Sequence, residues 1–81
     1  MTTHTIELSA FQLRNAAYAL RDSAGRAYDD ERLNTAIAQY RLARDFYALL
    51  GNECRAEQCG NLARAIVAEQ DAIAAGEEEV A

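Results

Sequence analysis

The stretch LNTAIAQYRLARDFYALL, Leu33 to Leu50, decides how this chain folds. At 100° per residue, Leu33, Ala36, Ile37, Tyr40, Ala43, Tyr47 and Leu50 gather on one face of a helix, while Ala38, Leu42, Phe46 and Leu49 gather roughly opposite. Asn34, Arg41 and Asp45 fill one gap between these faces, and Thr35 and Gln39 interrupt the other. A helix that is apolar on two sides needs partners on both, so the stretch reads as the middle of a bundle. Two arrangements of the neighbours stay open. Either the first and third helices cover one face each, or the second face is only partly covered and some of Phe11, Tyr18, Leu42, Phe46 and Leu49 form an exposed patch.

Toward the N-terminus, Met1 to Glu7 is threonine-rich and too poor in apolar side chains for a core element, and it reads as a flexible arm over residues 1–7. Ser9 with Gln12 three residues later is a capping box, and Leu8 can pack on Leu13 as a hydrophobic staple. The helix so announced, about 9–24, carries an inner stripe of Leu13, Ala16, Ala17, Leu20 and Ala24, with Gly25 as its left-handed stop. Phe11 and Tyr18 lie off that stripe, one heptad apart. The segment Arg26 to Arg32 then turns the chain, with Asp29 or Asp30 capping a second helix of about 30–50 and Glu31 complementing its positive end.

Toward the C-terminus, Gly51 suits a left-handed stop and Asn52 suits the next N-cap. So short a connection makes the third helix, about 52–75, antiparallel to the second. Its stripe is Ala56, Cys59, Leu62, Ala63, Ile66, Gln70 and Ile73, and Gly60 within it implies a close helix approach. The residues from Gly76 onward, 76–81, read as a solvated, flexible acidic tail. The expected fold is therefore all-α, a small antiparallel three-helix bundle forming a single domain over 1–81. Leu42→Asp and Ile66→Asp are both expected to unfold it by burying an uncompensated charge.

Composition agrees. Among the 81 residues there is no proline, only four glycines and an apolar half in which alanine dominates, as in an all-helical chain. A chain this short buries only about 60% of its extended surface, so a partner or oligomerisation would add to its stability. The net charge of −5 arises from 13 acidic residues against eight basic ones, all of them arginine. Such a surface repels nucleic acid and anionic membranes and attracts basic partners. The absence of lysine fits a GC-rich bacterial or viral gene. Without an apolar run of signal-peptide or membrane-spanning length, the expected location is the cytoplasm of a bacterial host cell, where both cysteines stay reduced.

Ala36, Tyr40 and Ala43 reproduce the small-aromatic-small spacing of the second helix of a tetratricopeptide repeat, and Leu50-Gly51-Asn52 resembles the Leu-Gly-Asp-type turn of its longer variety. Ala56 and Asn61-Leu62-Ala63, with Ile66 in the aromatic position, then resemble the first helix of a following repeat, one residue short of the usual spacing. The resemblance covers one repeat junction and implies helical packing and protein interaction. No further helix is expected after Ala75, whereas a repeat solenoid buries its faces with about three units.

The sequence offers little for chemistry. Cys54 and Cys59 are five residues apart on one helix, which sets their Cα atoms roughly 8 Å apart and aims them away from each other, too far for a disulfide. They lack metal-ligand spacing, and the only histidine, His4, is in the N-terminal arm, far in sequence from either cysteine. Asp29, Asp30 and Glu31 lack the alternating ligands and glycine of a calcium loop. No catalytic, cofactor or metal residue is assigned, and the chain reads as a non-enzyme.

What remains is binding of protein. The leading expectation is an acidic inhibitor or adaptor that occupies a basic surface of a larger, nucleic-acid-binding complex. By size and acidity it is similar to the small phage-encoded anti-CRISPR inhibitors of bacterial defence. Candidate contacts are the acidic Asp29, Asp30, Glu31, Glu53 and Glu57 with the Glu77 to Glu79 tail, and the aromatic Phe11, Tyr18 and Phe46. The alternative is a structural homodimer or tetratricopeptide-like scaffold that uses an exposed apolar patch.

Overall fold

The computed structural model describes residues 9–80, with side chains as far as Gly76. Three helices account for nearly all of it: α1 (Ala10–Asp29), α2 (Leu33–Leu49) and α3 (Glu53–Val80), with no strand among the described residues. α2 packs against both of the others, and α1 and α3 scarcely meet. The bundle is thus the all-α, three-helix arrangement that the central stretch implies. The N-terminal arm over residues 1–7, the Leu8 staple, and the side chains of Glu77 to Glu79 lie outside the described residues.

Local chemistry sets the start of α1. The Ser9 side chain accepts a hydrogen bond from the Gln12 backbone N–H at 3.2 Å, and the Ser9 N–H donates to Gln12 Oε1 at 2.9 Å, so two orphan donors of the first turn are satisfied reciprocally. Its end differs from expectation. Gly25 does not stop the helix, which runs on to Asp29, because Ala24 and Ala27 are both fully buried against the rest of the fold. Glycine within a helix costs about 1 kcal/mol relative to alanine, and the packing of the extra turn outweighs that.

α1 and α2 end in the same device. The Arg32 N–H donates to Ala27 O at 2.8 Å and the Glu31 N–H to Tyr28 O at 3.0 Å; twenty residues on, the Asn52 N–H donates to Tyr47 O at 2.9 Å and the Gly51 N–H to Ala48 O at 3.0 Å. Both are Schellman closures, each needing one residue with positive φ. Gly51 fills that role at φ 75°, and Glu31 fills the first at φ 64°. Asp29 and Asp30 therefore do not cap α2: one is the last residue of α1, the other its C-cap, and the N-cap of α2 is Arg32, which makes no side-chain capping bond. Asn52, by contrast, caps α3, its Oδ1 accepting from the Arg55 N–H at 3.1 Å.

The core is built mostly of small side chains. Ala17, Ala24 and Ala27 of α1, Ala36 and Ala43 of α2, and Ala56, Cys59 and Ala63 of α3 are buried, and bulk comes from Ile37, Tyr40, Tyr47 and Ile66. Small residues let the helices approach closely. The buried Gly60 shows the same economy, since a Cβ there would sit 3.3 Å from Cδ of Arg44, whose stem lies across it. α3 does not stop at Ala75. It passes through Gly76 to Val80, and at about 1.5 Å per residue it outruns α2, leaving Asp71 to Gly76 exposed.

Of the two arrangements open to the neighbours of α2, one helix on each face fails, and a second face left partly bare is what forms. Ala36, Ala43 and half-buried Phe46 fall toward one flank of α2, Ile37 and half-buried Arg44 toward the other, and the buried arc between them faces both partners. α1 and α3 therefore share one half of α2 and do not cover two opposite faces. Leu42 is left 45% exposed, so Leu42→Asp no longer has a buried site to disrupt, whereas Ile66 is buried as expected.

Candidate functional site

The arrangement of α1 and α3 on one side of α2 gives the protein a back and a front. The back is the outer ridge of α2, where Ala38, Leu42 and Leu49 follow one another at helical spacing. Leu49 is 72% exposed. Asp45 borders this ridge and pairs with Arg44, its Oδ1 lying 3.0 Å from the guanidinium. Phe46, expected in an exposed patch, is half-buried and packs against the core instead. Nor do Phe11 and Tyr18 join the ridge. They are 66% and 63% exposed on α1, and Tyr18 turns toward the front, where it shares a cleft with Tyr47 and Arg55.

The front is a groove between α1 and α3, floored by Tyr40 and Tyr47 of α2. Its openings lie side by side, two of them sharing Tyr18 and three sharing Leu62. At the end where α1 and α3 begin, Arg14 and Arg55 line an opening of about 490 Å³ whose lining includes no carboxylate, with exposed Glu53 and Glu57 two residues to either side of Arg55. The Arg55 guanidinium lies 6.0 Å from the centre of the Tyr47 ring, a cation–π distance. Arg21 stands midway. Beside Arg21 the lining holds the ion pair of Asp22 with Arg26, and at the far end the groove turns acidic with Asp29 and Glu69. There Tyr28 of α1 donates its hydroxyl proton to Glu69 of α3 at 2.9 Å, a direct link between the outer helices, and Gln70 donates to Asn34 at 2.7 Å.

The acidic candidates do not form one surface. Asp30 and Glu31 sit in the first turn, where Asp30 faces Arg32 at 3.6 Å, and Asp29 belongs to the groove. Glu53 and Glu57 are exposed at the start of α3, beyond the opposite end of α2. The 17 residues of α2 separate the two groups by about 25 Å at 1.5 Å per residue. A partner touching both must span the length of the bundle.

Titratable groups in the interior follow their burial. Desolvation pushes the Cys59 thiol and the Tyr40 hydroxyl above their ordinary values, while the positive charge of Arg21 opposes both shifts. The hydrogen bond to Glu69 raises the Tyr28 hydroxyl as well. Cys59 is buried and Cys54 exposed, and both are free thiols. Gln39 Oε1 is buried without a hydrogen-bond partner among the described residues. Those residues hold no grouping of three or more His, Cys, Asp or Glu that could bind a metal ion, and no helix long and apolar enough to cross a membrane.

No protein-family model matches the chain, and neither curated proteins nor solved structures provide a match. The function therefore has to be argued from the two faces. The ridge was legible as the second apolar face of α2. The groove was not: Arg14, Tyr18 and Arg21 share one side of α1 by helical spacing, but nothing in the sequence sets Arg55 across from them.

Proposed function

We propose that the chain is a non-catalytic protein-binding module, an acidic inhibitor or adaptor that docks on a larger partner through the outer ridge of α2. The supporting observation is the bare ridge itself. Leu42 and Leu49, with Ala38 beside them, stay in water on a domain small enough that every buried apolar side chain counts toward its stability. The fitting partner presents an apolar trough with basic borders, because Asp45 flanks the ridge and acidic residues stand beyond both of its ends. A basic, nucleic-acid-binding complex of a bacterial cytoplasm has that character, in keeping with the anti-CRISPR-like size and acidity.

The second reading, a homodimer joined ridge to ridge, rests on the same leucines. Net charge weighs against it, since two copies at −5 each repel. The experiment compares wild type with Leu42→Ser/Leu49→Ser in affinity capture from a bacterial lysate, alongside sedimentation of the purified protein. A partner held by wild type and lost by the double variant supports the docking role. A concentration-dependent dimer abolished by the same substitutions supports the homodimer, and capture unchanged by the double variant removes the ridge from consideration.

A further inference from the structure

The groove between α1 and α3 carries a charge pattern that the acidity of the whole chain conceals. Arg26, Arg32 and Arg44 are each committed to a neighbouring aspartate. Arg14, Arg21, Arg41, Arg55 and Arg64 pair with no carboxylate among the described residues, and of these five Arg14, Arg21 and Arg55 line the front groove, from two different helices. Guanidinium groups hold carboxylates through paired, directional hydrogen bonds, and the partly enclosed walls of a groove strengthen that attraction. Apolar surface lies between them, from Tyr18 and Tyr47 at one end to Leu62 farther along.

We propose that this groove binds an extended peptide segment of a partner protein, bearing two or three carboxylates interleaved with apolar side chains. Three arginines set the number of acids, and the intervening aromatic and aliphatic surface sets the apolar positions. A dense polyanion is disfavoured, because the net charge of −5 repels it over the whole molecule while only one end of the groove attracts. The groove also has a direction. The acidic part of the segment lies over Arg14, Arg21 and Arg55, and its neutral or basic part runs toward Asp29 and Glu69. This face is opposite the α2 ridge, so binding here stands or falls separately from the docking role proposed above.

The test is nuclear magnetic resonance of the arginine Nε–H groups in the full chain during titration with the capped peptide Ser-Glu-Leu-Glu-Ser-Leu-Glu-Ser. Its counterpart with every glutamate replaced by glutamine serves as the control. Saturable shifts are expected at Arg14, Arg21 and Arg55 and not at Arg32 or Arg44. The glutamine peptide should bind about tenfold more weakly or worse, as should the Arg14→Gln/Arg55→Gln variant, since one charged hydrogen bond is worth about that factor. Unchanged circular dichroism in that variant separates lost contact from lost fold. Absence of shifts with the glutamate peptide, equal binding of the glutamine peptide, or shifts centred on Leu42 and Leu49 would each overturn the proposal. So would an oligothymidylate that shifts the three arginines when the peptide does not, which would assign the groove to phosphate.

Discussion

Two residues at equivalent places in the two turns share one backbone conformation at unequal steric cost. Gly51 and Glu31 both adopt the left-handed conformation that closes a Schellman motif, yet only glycine does so without a steric penalty. Substituting Gly51→Val should lower stability by about 1–2 kcal/mol, and Glu31→Gly should raise it by up to about 1 kcal/mol. Urea denaturation followed by circular dichroism reads both, and a neutral Gly51→Val would mean that the second turn closes in some other way. Cys59 gives a prediction of a different kind. Burial holds its thiol above the ordinary value of 9.0, so the folded state keeps a proton that the unfolded chain releases as the pH passes that value. The unfolded state then binds fewer protons, and stability falls with rising pH. The contribution is intact below pH 9.0 and is lost as the pH climbs through the folded value, with Tyr40 adding to the loss from its own ordinary 10.0 upward. Urea midpoints across the alkaline range should decline in wild type and decline less steeply in Cys59→Ala.

Among the elements, α2 shows how far a helical pattern reaches. Its first apolar face is buried, and its second meets water because both neighbours settled on one side. Leu42→Asp should therefore change stability by no more than about 0.5 kcal/mol, as exposed substitutions usually do. Ile66→Asp should unfold the protein or cost several kcal/mol, because it places a carboxylate among buried side chains with no cation to meet it. Thermal melts of the two variants side by side distinguish these outcomes, and comparable losses would mean that the α2 ridge is covered in solution. α1 teaches the complementary lesson about boundaries. Gly25 has the composition of a stop and the position of an interior residue, and what decides between them is the burial of Ala24 and Ala27 on either side of it.

At the scale of the whole molecule, charge is segregated within the fold. Acidic groups cluster beyond both ends of α2, and three of the five arginines without a carboxylate partner among the described residues, Arg14, Arg21 and Arg55, face the groove. If docking on a basic partner is steered by those acidic ends, association should weaken with salt, since interactions between exposed charges are screened beyond about 8 Å at physiological ionic strength. Charge reversal of Asp30 with Glu31, and separately of Glu53 with Glu57, should slow association in surface plasmon resonance. Leu42→Ser/Leu49→Ser should instead speed dissociation. A complex indifferent to salt and to both reversals would leave the apolar ridge as the whole interface.

The sequence by itself determined the helices, the capping box at Ser9, the left-handed stop at Gly51, the Asn52 cap and the central place of α2, because each of these depends on spacing and backbone preference within a few neighbouring residues. It also marked the buried positions Ala17, Ala24, Ile37, Tyr40, Tyr47, Cys59 and Ile66 by their periodicity. Only the tertiary structure decided that α1 outlasts Gly25, that α3 outlasts Gly76, and that α1 and α3 lie on the same half of α2. The same step turned Phe46 inward, left Leu42 and Leu49 bare, and brought Arg55 into the groove with Arg14 and Arg21. A helical period tells which side chains prefer burial, but the angle at which two helices settle depends on where small residues allow close approach, and that is a property of the pair.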